Sequence, residues 1–136
     1  MKKSILILFA ALSTALALSS FKSADEAKVI AIVNKADWCS ICKAYAGRTV
    51  AAFTENNTDN YFQFIVNDIT NEETKKASKP AIIKVGMEKT LEGSLAAGVL
   101  SFYDVKTKAL LAQVTVANTP EEVAATMKMV RAKASE

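Results

Sequence analysis

Cys39 and Cys42 are the side chains of this 136-residue chain best suited to chemistry. Two cysteines at this spacing lie close together when they open a helix, near enough to form a reversible disulfide. The first sulfur then lies where unpaired backbone N–H groups and the helix dipole favour an anion, which lowers the pKa of its thiol. We expect Cys39 to be exposed and to attack a partner's disulfide, and Cys42, one turn deeper, to resolve the mixed disulfide.

The lack of histidine in this chain excludes several other kinds of site. No Ser-His or Cys-His nucleophile pair, imidazole proton shuttle or histidine metal ligand can form within it. Two cysteines cannot complete the ligand set of a closed zinc site. A c-type haem attachment needs histidine after the second cysteine, where Lys43 stands. We therefore expect no metal and no organic cofactor.

Residues 1–24 have the pattern of a secretory signal peptide. Lys2 and Lys3 form a positive start, residues 5–18 are mostly apolar, and small residues up to Ala24 offer cleavage sites. The apolar run is shorter than the ~20 residues of a spanning helix, so a permanent anchor is the alternative. We expect one domain, residues 25–136, to be a periplasmic or secreted bacterial monomer without a membrane span, where disulfides persist.

The net charge of +3 comes from that N-terminal segment. Its removal takes away three lysines and no acid, which leaves 14 basic and 14 acidic residues. No stripe of basic side chains remains to neutralise phosphates, so a nucleic-acid partner is not expected.

The elements that must position the cysteines are predicted from hydrophobic patterns. A continuous apolar, β-branched run at 29–33 predicts a strand buried on both faces, and a second run at 61–66 predicts another strand. Between them, a helix is expected from Cys39 to about Phe53.

The second half of the chain is predicted as helix, hairpin and helix. Residues 70–92 favour a helix. Thr70 is expected to be its N-cap, because Glu73 follows three residues later as in a capping box, and Ser78-Lys79-Pro80 is expected to interrupt it. Residues 99–103 and 110–116 predict two hairpin strands. The last helix has its start signals in order, with Thr119 as N-cap, Pro120 at the first helical position and Glu122 completing a capping box.

The sequence DWCSICK at 37–43 follows the first strand and opens a helix. With the β, α, β, β, α order downstream, residues 27–133 resemble the thioredoxin-fold family. The resemblance implies an α/β fold with a central mixed sheet flanked by helices. It implies that protein thiols and disulfides are the partners, and that Trp38 shields the sulfurs and helps to bind a partner polypeptide.

Part of the family's substrate-docking edge is changed in this sequence. Family members usually carry a cis-proline facing the cysteine pair, but this chain has only Pro80 and Pro120. Aligning residues 99–104 with the family's strand places Ala97, Gly98 or Val99 opposite the sulfurs. A glycine there can adopt unusual backbone angles, and Gly98 and Val99 are the candidate substrate-binding residues.

The sequence differs from the family pattern at two further points, which concern proton transfer and redox potential. Many thioredoxins bury an acid six residues before the first cysteine, where this chain has Val33. Proton transfer from Cys42 would then use water, Lys35 or Asp37, or would be slow. The residues between the cysteines, Ser and Ile, match neither the reducing nor the strongly oxidising members, so the potential is not specified.

Three functions fit this pattern. The first is an extracytoplasmic thiol-disulfide oxidoreductase that works through Cys39 and Cys42. The second is a non-catalytic binding or chaperone module in which the same pair is a structural disulfide. The third is a carrier of a soft metal such as Cu(I), held by the two thiolates.

Overall fold

A computed structural model describes residues 27–94 and 96–136 of the chain. The strands are β1 (Val29–Lys35), β2 (Phe62–Asp68), β3 (Val99–Asp104) and β4 (Leu110–Thr115). The helices are α1 (Ser40–Glu55), α2 (Glu72–Lys84), α3 (Glu88–Leu91) and α4 (Pro120–Ala134). The predicted signal peptide, residues 1–24, lies outside the described residues. Within the described ranges, no helix is both long enough and apolar enough to cross a bilayer.

The four strands form one mixed sheet in the order β2-β1-β3-β4. Strand β1 pairs in parallel with β2 and antiparallel with β3, and β3 and β4 form the predicted antiparallel hairpin. The predicted fold class, a central mixed sheet flanked by helices, is confirmed. The strand that leads into the cysteines is therefore central in the sheet.

Strand β1 is continuously apolar because both faces of the sheet are covered. On one face, Val29, Ala31 and Val33 join a core with side chains of α1 and α4. On the other face, Ile30 and Ile32 pack in a second core that includes side chains of α2. Burial on both sides holds β1, and therefore the loop that follows it, in a fixed position.

The predicted start of the final helix, α4, is confirmed. The Thr119 hydroxyl accepts a hydrogen bond from the Glu122 backbone N–H (3.3 Å), and the Glu122 carboxylate accepts one from the Thr119 N–H (2.7 Å). Val123, Met127 and Val130 are all buried, so one apolar face of α4 docks on the sheet.

Two predictions about α2 are wrong. Asn71, not Thr70, is the N-cap, and it forms a capping box with Thr74. The helix also continues through Pro80 to Lys84 instead of being interrupted. A proline inside a helix removes one hydrogen bond and costs about 3 kcal/mol. Burial of Ile82 in the second core, just beyond the proline, offsets that cost.

Candidate active site at the Cys39–Cys42 disulfide

The two cysteines form a disulfide at the start of α1, with their Cα atoms 5.3 Å apart. Cys39 is the N-cap residue, in an extended conformation, and Ser40 is the first helical residue. The Cys39 sulfur accepts a hydrogen bond from the Cys42 backbone N–H at 3.2 Å. This is the bond that a Ser or Asp side chain makes at an ordinary N-cap. In the reduced protein, the same N–H and the helix dipole would stabilise a thiolate on Cys39.

The expected exposure of Cys39 is wrong for this disulfide form. Cys39 is 7% exposed and Cys42 is 6% exposed, so the two residues are buried to the same degree. Both pack in a small apolar cluster with Ala36 and Ile69, and Ala97 lies against it. These neighbours come from three separate segments of the chain. Burial therefore results from the tertiary fold, and the helix position alone gives no sign of it.

Gly98 lies directly opposite the pair. A Cβ built on Gly98 would be 3.5 Å from the Cys39 sulfur and 2.7 Å from Cδ1 of Ile41. The φ angle of Gly98 is +80°, a conformation that residues with a Cβ rarely adopt. The Gly98 N–H donates to the Asn34 carbonyl at 2.7 Å, which ties this position to the end of β1.

Val99 begins β3 immediately after this glycine and pairs with Asn34 of β1. It is half-buried. No peptide bond within the described residues is cis. The edge beside the cysteines is therefore formed by trans backbone from Ala97 to Val99, with a left-handed glycine at its centre.

Trp38, which immediately precedes Cys39, is 63% exposed. Its indole N–H donates to the Thr70 carbonyl at 3.3 Å. The Thr70 hydroxyl in turn accepts from the Asp37 backbone N–H at 3.0 Å. Thr70 therefore positions the loop that carries Trp38. Its sequence context predicted a helix cap, and no local pattern indicated contact with a loop more than thirty positions away.

Lys35, Asp37 and Asp68 form a cluster of charged side chains that includes the start of the same loop. The Lys35 ammonium is 3.0 Å from the Asp68 carboxylate and 3.6 Å from that of Asp37. Partial burial pushes the pKa of Asp68 upward, but hydrogen bonds from Thr70 and Lys35 outweigh it and lower the pKa to about 2. The hydrogen bond to Asp68 is also the main reason why the pKa of Lys35 is raised.

A cavity of about 70 Å³ lies between α1 and the sheet, and both Cys42 and Lys35 line it. Val33, at the position where many thioredoxins have an acid, also lines this cavity and is buried. The other lining side chains are mostly apolar. Of the groups expected to take part in proton transfer, Lys35 shares this cavity with the resolving cysteine, but its raised pKa keeps it protonated, so it cannot accept the proton of Cys42.

Strand β1 is central in the sheet and leads into the helix that begins with the Cys-x-x-Cys segment. It pairs in parallel with β2 on one side and antiparallel with the β3–β4 hairpin on the other, and this strand order decides the fold. The fold is thioredoxin-like. No family model matches the chain, and no curated protein does either. Among solved structures, the chain is similar to the crystal structure of Trxlp from Edwardsiella tarda, with 14% identity and a TM-score of 0.45. That alignment covers 76% of this chain and 85% of the other. The likeness is weak, and it says nothing about activity.

The Cys-x-x-Cys disulfide on this thioredoxin-like fold supports a redox-type function. The site has a disulfide across the first turn of a helix, a backbone N–H aimed at the first sulfur, and exposed apolar side chains nearby. The described part of the chain contains no group of three or more His, Cys, Asp or Glu side chains that could hold a metal ion.

Proposed function

We propose that this chain is an extracytoplasmic oxidoreductase that exchanges disulfides with partner proteins through Cys39 and Cys42. One observation carries the proposal: the Cys39 sulfur occupies the N-cap and accepts the Cys42 N–H at 3.2 Å. An anion at this position gains both that hydrogen bond and the favourable end of the α1 dipole. Both interactions stabilise a thiolate on Cys39 and act against the burial of the residue, which favours the neutral thiol.

The exchange proceeds through two disulfide transfers. A partner thiolate attacks the Cys39 sulfur, a new intermolecular S–S bond forms, and Cys42 leaves as a thiolate. A second partner thiolate then attacks the partner sulfur of this mixed disulfide, and Cys39 leaves as a thiolate. The partner gains a disulfide and this protein becomes the dithiol. The reverse sequence reduces a partner disulfide.

Partner binding is assigned to the surface around the disulfide. Trp38 precedes the pair and Ile41 lies between its two cysteines, and both are large apolar side chains that stay exposed. Tyr45, in the next turn of α1, is exposed as well. Such side chains suit the binding of an unfolded or extended polypeptide segment. Gly98 lies next to the Cys39 sulfur, but it is buried and its N–H and carbonyl are both hydrogen-bonded within the fold, so the binding of a partner is assigned to side chains and not to this backbone.

The extracytoplasmic location rests on residues 1–24 and on the chemistry of the pair. A periplasm or an extracellular space allows a disulfide to form and to be exchanged, whereas the cytosol keeps thiols reduced. The function and the signal pattern therefore support the same location.

A second candidate is the binding or chaperone module with a structural disulfide. The burial of Cys39, 7% exposed, favours it because an incoming sulfur must reach that atom. The two candidates differ in whether Cys39 reacts in the folded protein.

Trapping and alkylation experiments test the proposal. In reduced protein, we expect iodoacetamide to modify Cys39 before Cys42, with an apparent pKa below the free value of about 8.5. Cys42→Ala should trap mixed disulfides with partner proteins, while the matched Cys39→Ala variant should trap none. Alkylation only after unfolding, or no trapping by Cys42→Ala, would establish the structural disulfide instead.

The direction of electron flow requires the reduction potential of the pair, measured against glutathione. A potential near that of thioredoxin, about −270 mV, would indicate a reductant, and one near about −120 mV would indicate an oxidant.

A further inference from the structure

Ile41 lies between the two cysteines in sequence, and its side chain extends across Gly98. A Cβ built on Gly98 would be 2.7 Å from Cδ1 of Ile41 and 3.0 Å from its Cγ1. The same point is 3.5 Å from the Cys39 sulfur. The end of the Ile41 side chain and the reactive sulfur therefore both lie close to Gly98, and Ile41 can approach so closely because residue 98 has no side chain.

Ile41 differs from the buried neighbours of the disulfide in its freedom to move. The other neighbours of the disulfide, Ala36 and Ile69, are nearly fully buried within the fold. Ile41 is 37% exposed and lies in the first turn of α1. Its side chain can therefore rotate towards solvent without disturbing the core, whereas its neighbours cannot.

We propose that Ile41 is a specificity-determining residue that sterically limits which partners reach the Cys39 sulfur. This inference rests on the proposed oxidoreductase function and explains how a buried cysteine can serve it. Small thiols, and cysteines carried on narrow, flexible segments, fit beside Ile41. A bulky partner first has to displace the side chain from Gly98.

The test compares two reagents with the same reactive group and different sizes. N-ethylmaleimide and fluorescein maleimide are reacted with the reduced full chain, and modification of Cys39 is measured by peptide mass spectrometry. Ile41→Ala is compared with Ile83→Ala, which makes the same change at an exposed side chain (50%) of α2, outside the cluster that holds the disulfide. The ratio of the two rate constants isolates size, because a change in thiolate pKa alters both rates together.

In the wild type, we expect the large reagent to react up to about tenfold more slowly relative to the small one, the rate equivalent of moving a side chain out of its rotamer. Ile41→Ala should remove most of that difference, and Ile83→Ala should retain it. A wild type that reacts equally with both reagents, or an Ile41→Ala variant that keeps the full difference, overturns the role of Ile41.

The outcomes separate this inference from the proposed function. If the size ratio behaves as expected but Cys42→Ala traps no partner, Ile41 covers Cys39 but the oxidoreductase proposal fails. If trapping succeeds while Ile41→Ala leaves the ratio unchanged, the proposed function stands and the specificity role is wrong.

Discussion

Replacement of Gly98 by alanine perturbs the site through two separable effects. The first is backbone strain, since alanine must adopt a φ of +80°. The second is steric overlap, since the new Cβ would lie 2.7 Å from Ile41 Cδ1. Contact with the Cys39 sulfur, at 3.5 Å, is ordinary van der Waals contact and adds no penalty.

Gly93 provides a matched control that isolates the backbone effect. Its φ of +81° is nearly the same as that of Gly98, and a Cβ added there meets no atom within 4 Å. Gly93→Ala should therefore lower the free energy of unfolding by about 1 kcal/mol, from strain alone. Gly98→Ala should cost about 0.5–1.5 kcal/mol more, because the overlapping atoms are the end of the flexible Ile41 side chain, which must leave its preferred rotamer.

Urea denaturation of the oxidised proteins, followed by circular dichroism, measures these differences. Adding Ile41→Ala to Gly98→Ala should recover most of the extra loss, because the overlapping atoms are gone, while the strain remains. Equal losses for Gly93→Ala and Gly98→Ala, or no recovery in the double variant, would refute the contact between Ile41 and residue 98.

Three other predictions concern the cap of α4, the Asp68 carboxylate that pairs with Lys35, and the N-terminus. Thr119→Ala should lower the free energy of unfolding by about 1 kcal/mol through loss of the cap, and an unchanged urea midpoint would contradict it. Folding lowers the pKa of Asp68 from 3.8 to about 2, so its carboxylate stabilises the protein above about pH 4 and loses that effect as pH falls towards 2. Asp68→Asn should therefore cost no more than about 2 kcal/mol at pH 7, and the difference from wild type should shrink in urea titrations between pH 5 and 2. Mass spectrometry of secreted protein should find an N-terminus between Leu18 and Asp25, whereas an intact Met1 in the membrane fraction would indicate a permanent anchor.

The sequence by itself determined the features that depend on neighbours along the chain. The β-branched run at 29–33 predicted the central strand, because a strand covered on both faces must be apolar at every position. The capping box at Thr119 predicted the start of α4, because its hydrogen bonds join residues three apart. The placement of Cys39 at a helix start had the same local basis.

Only the tertiary structure decided what depends on segments far apart in the chain. Helix α2 passes through Pro80 because Ile82 is buried against the sheet, and local helix propensity cannot report that burial. Cys39 is covered because Ile69 and the backbone at Gly98, which follow it by dozens of residues, converge on its sulfur. The energy of such contacts depends on which surfaces the fold brings together, so no pattern within the Cys-Ser-Ile-Cys segment could reveal how accessible the reactive sulfur is.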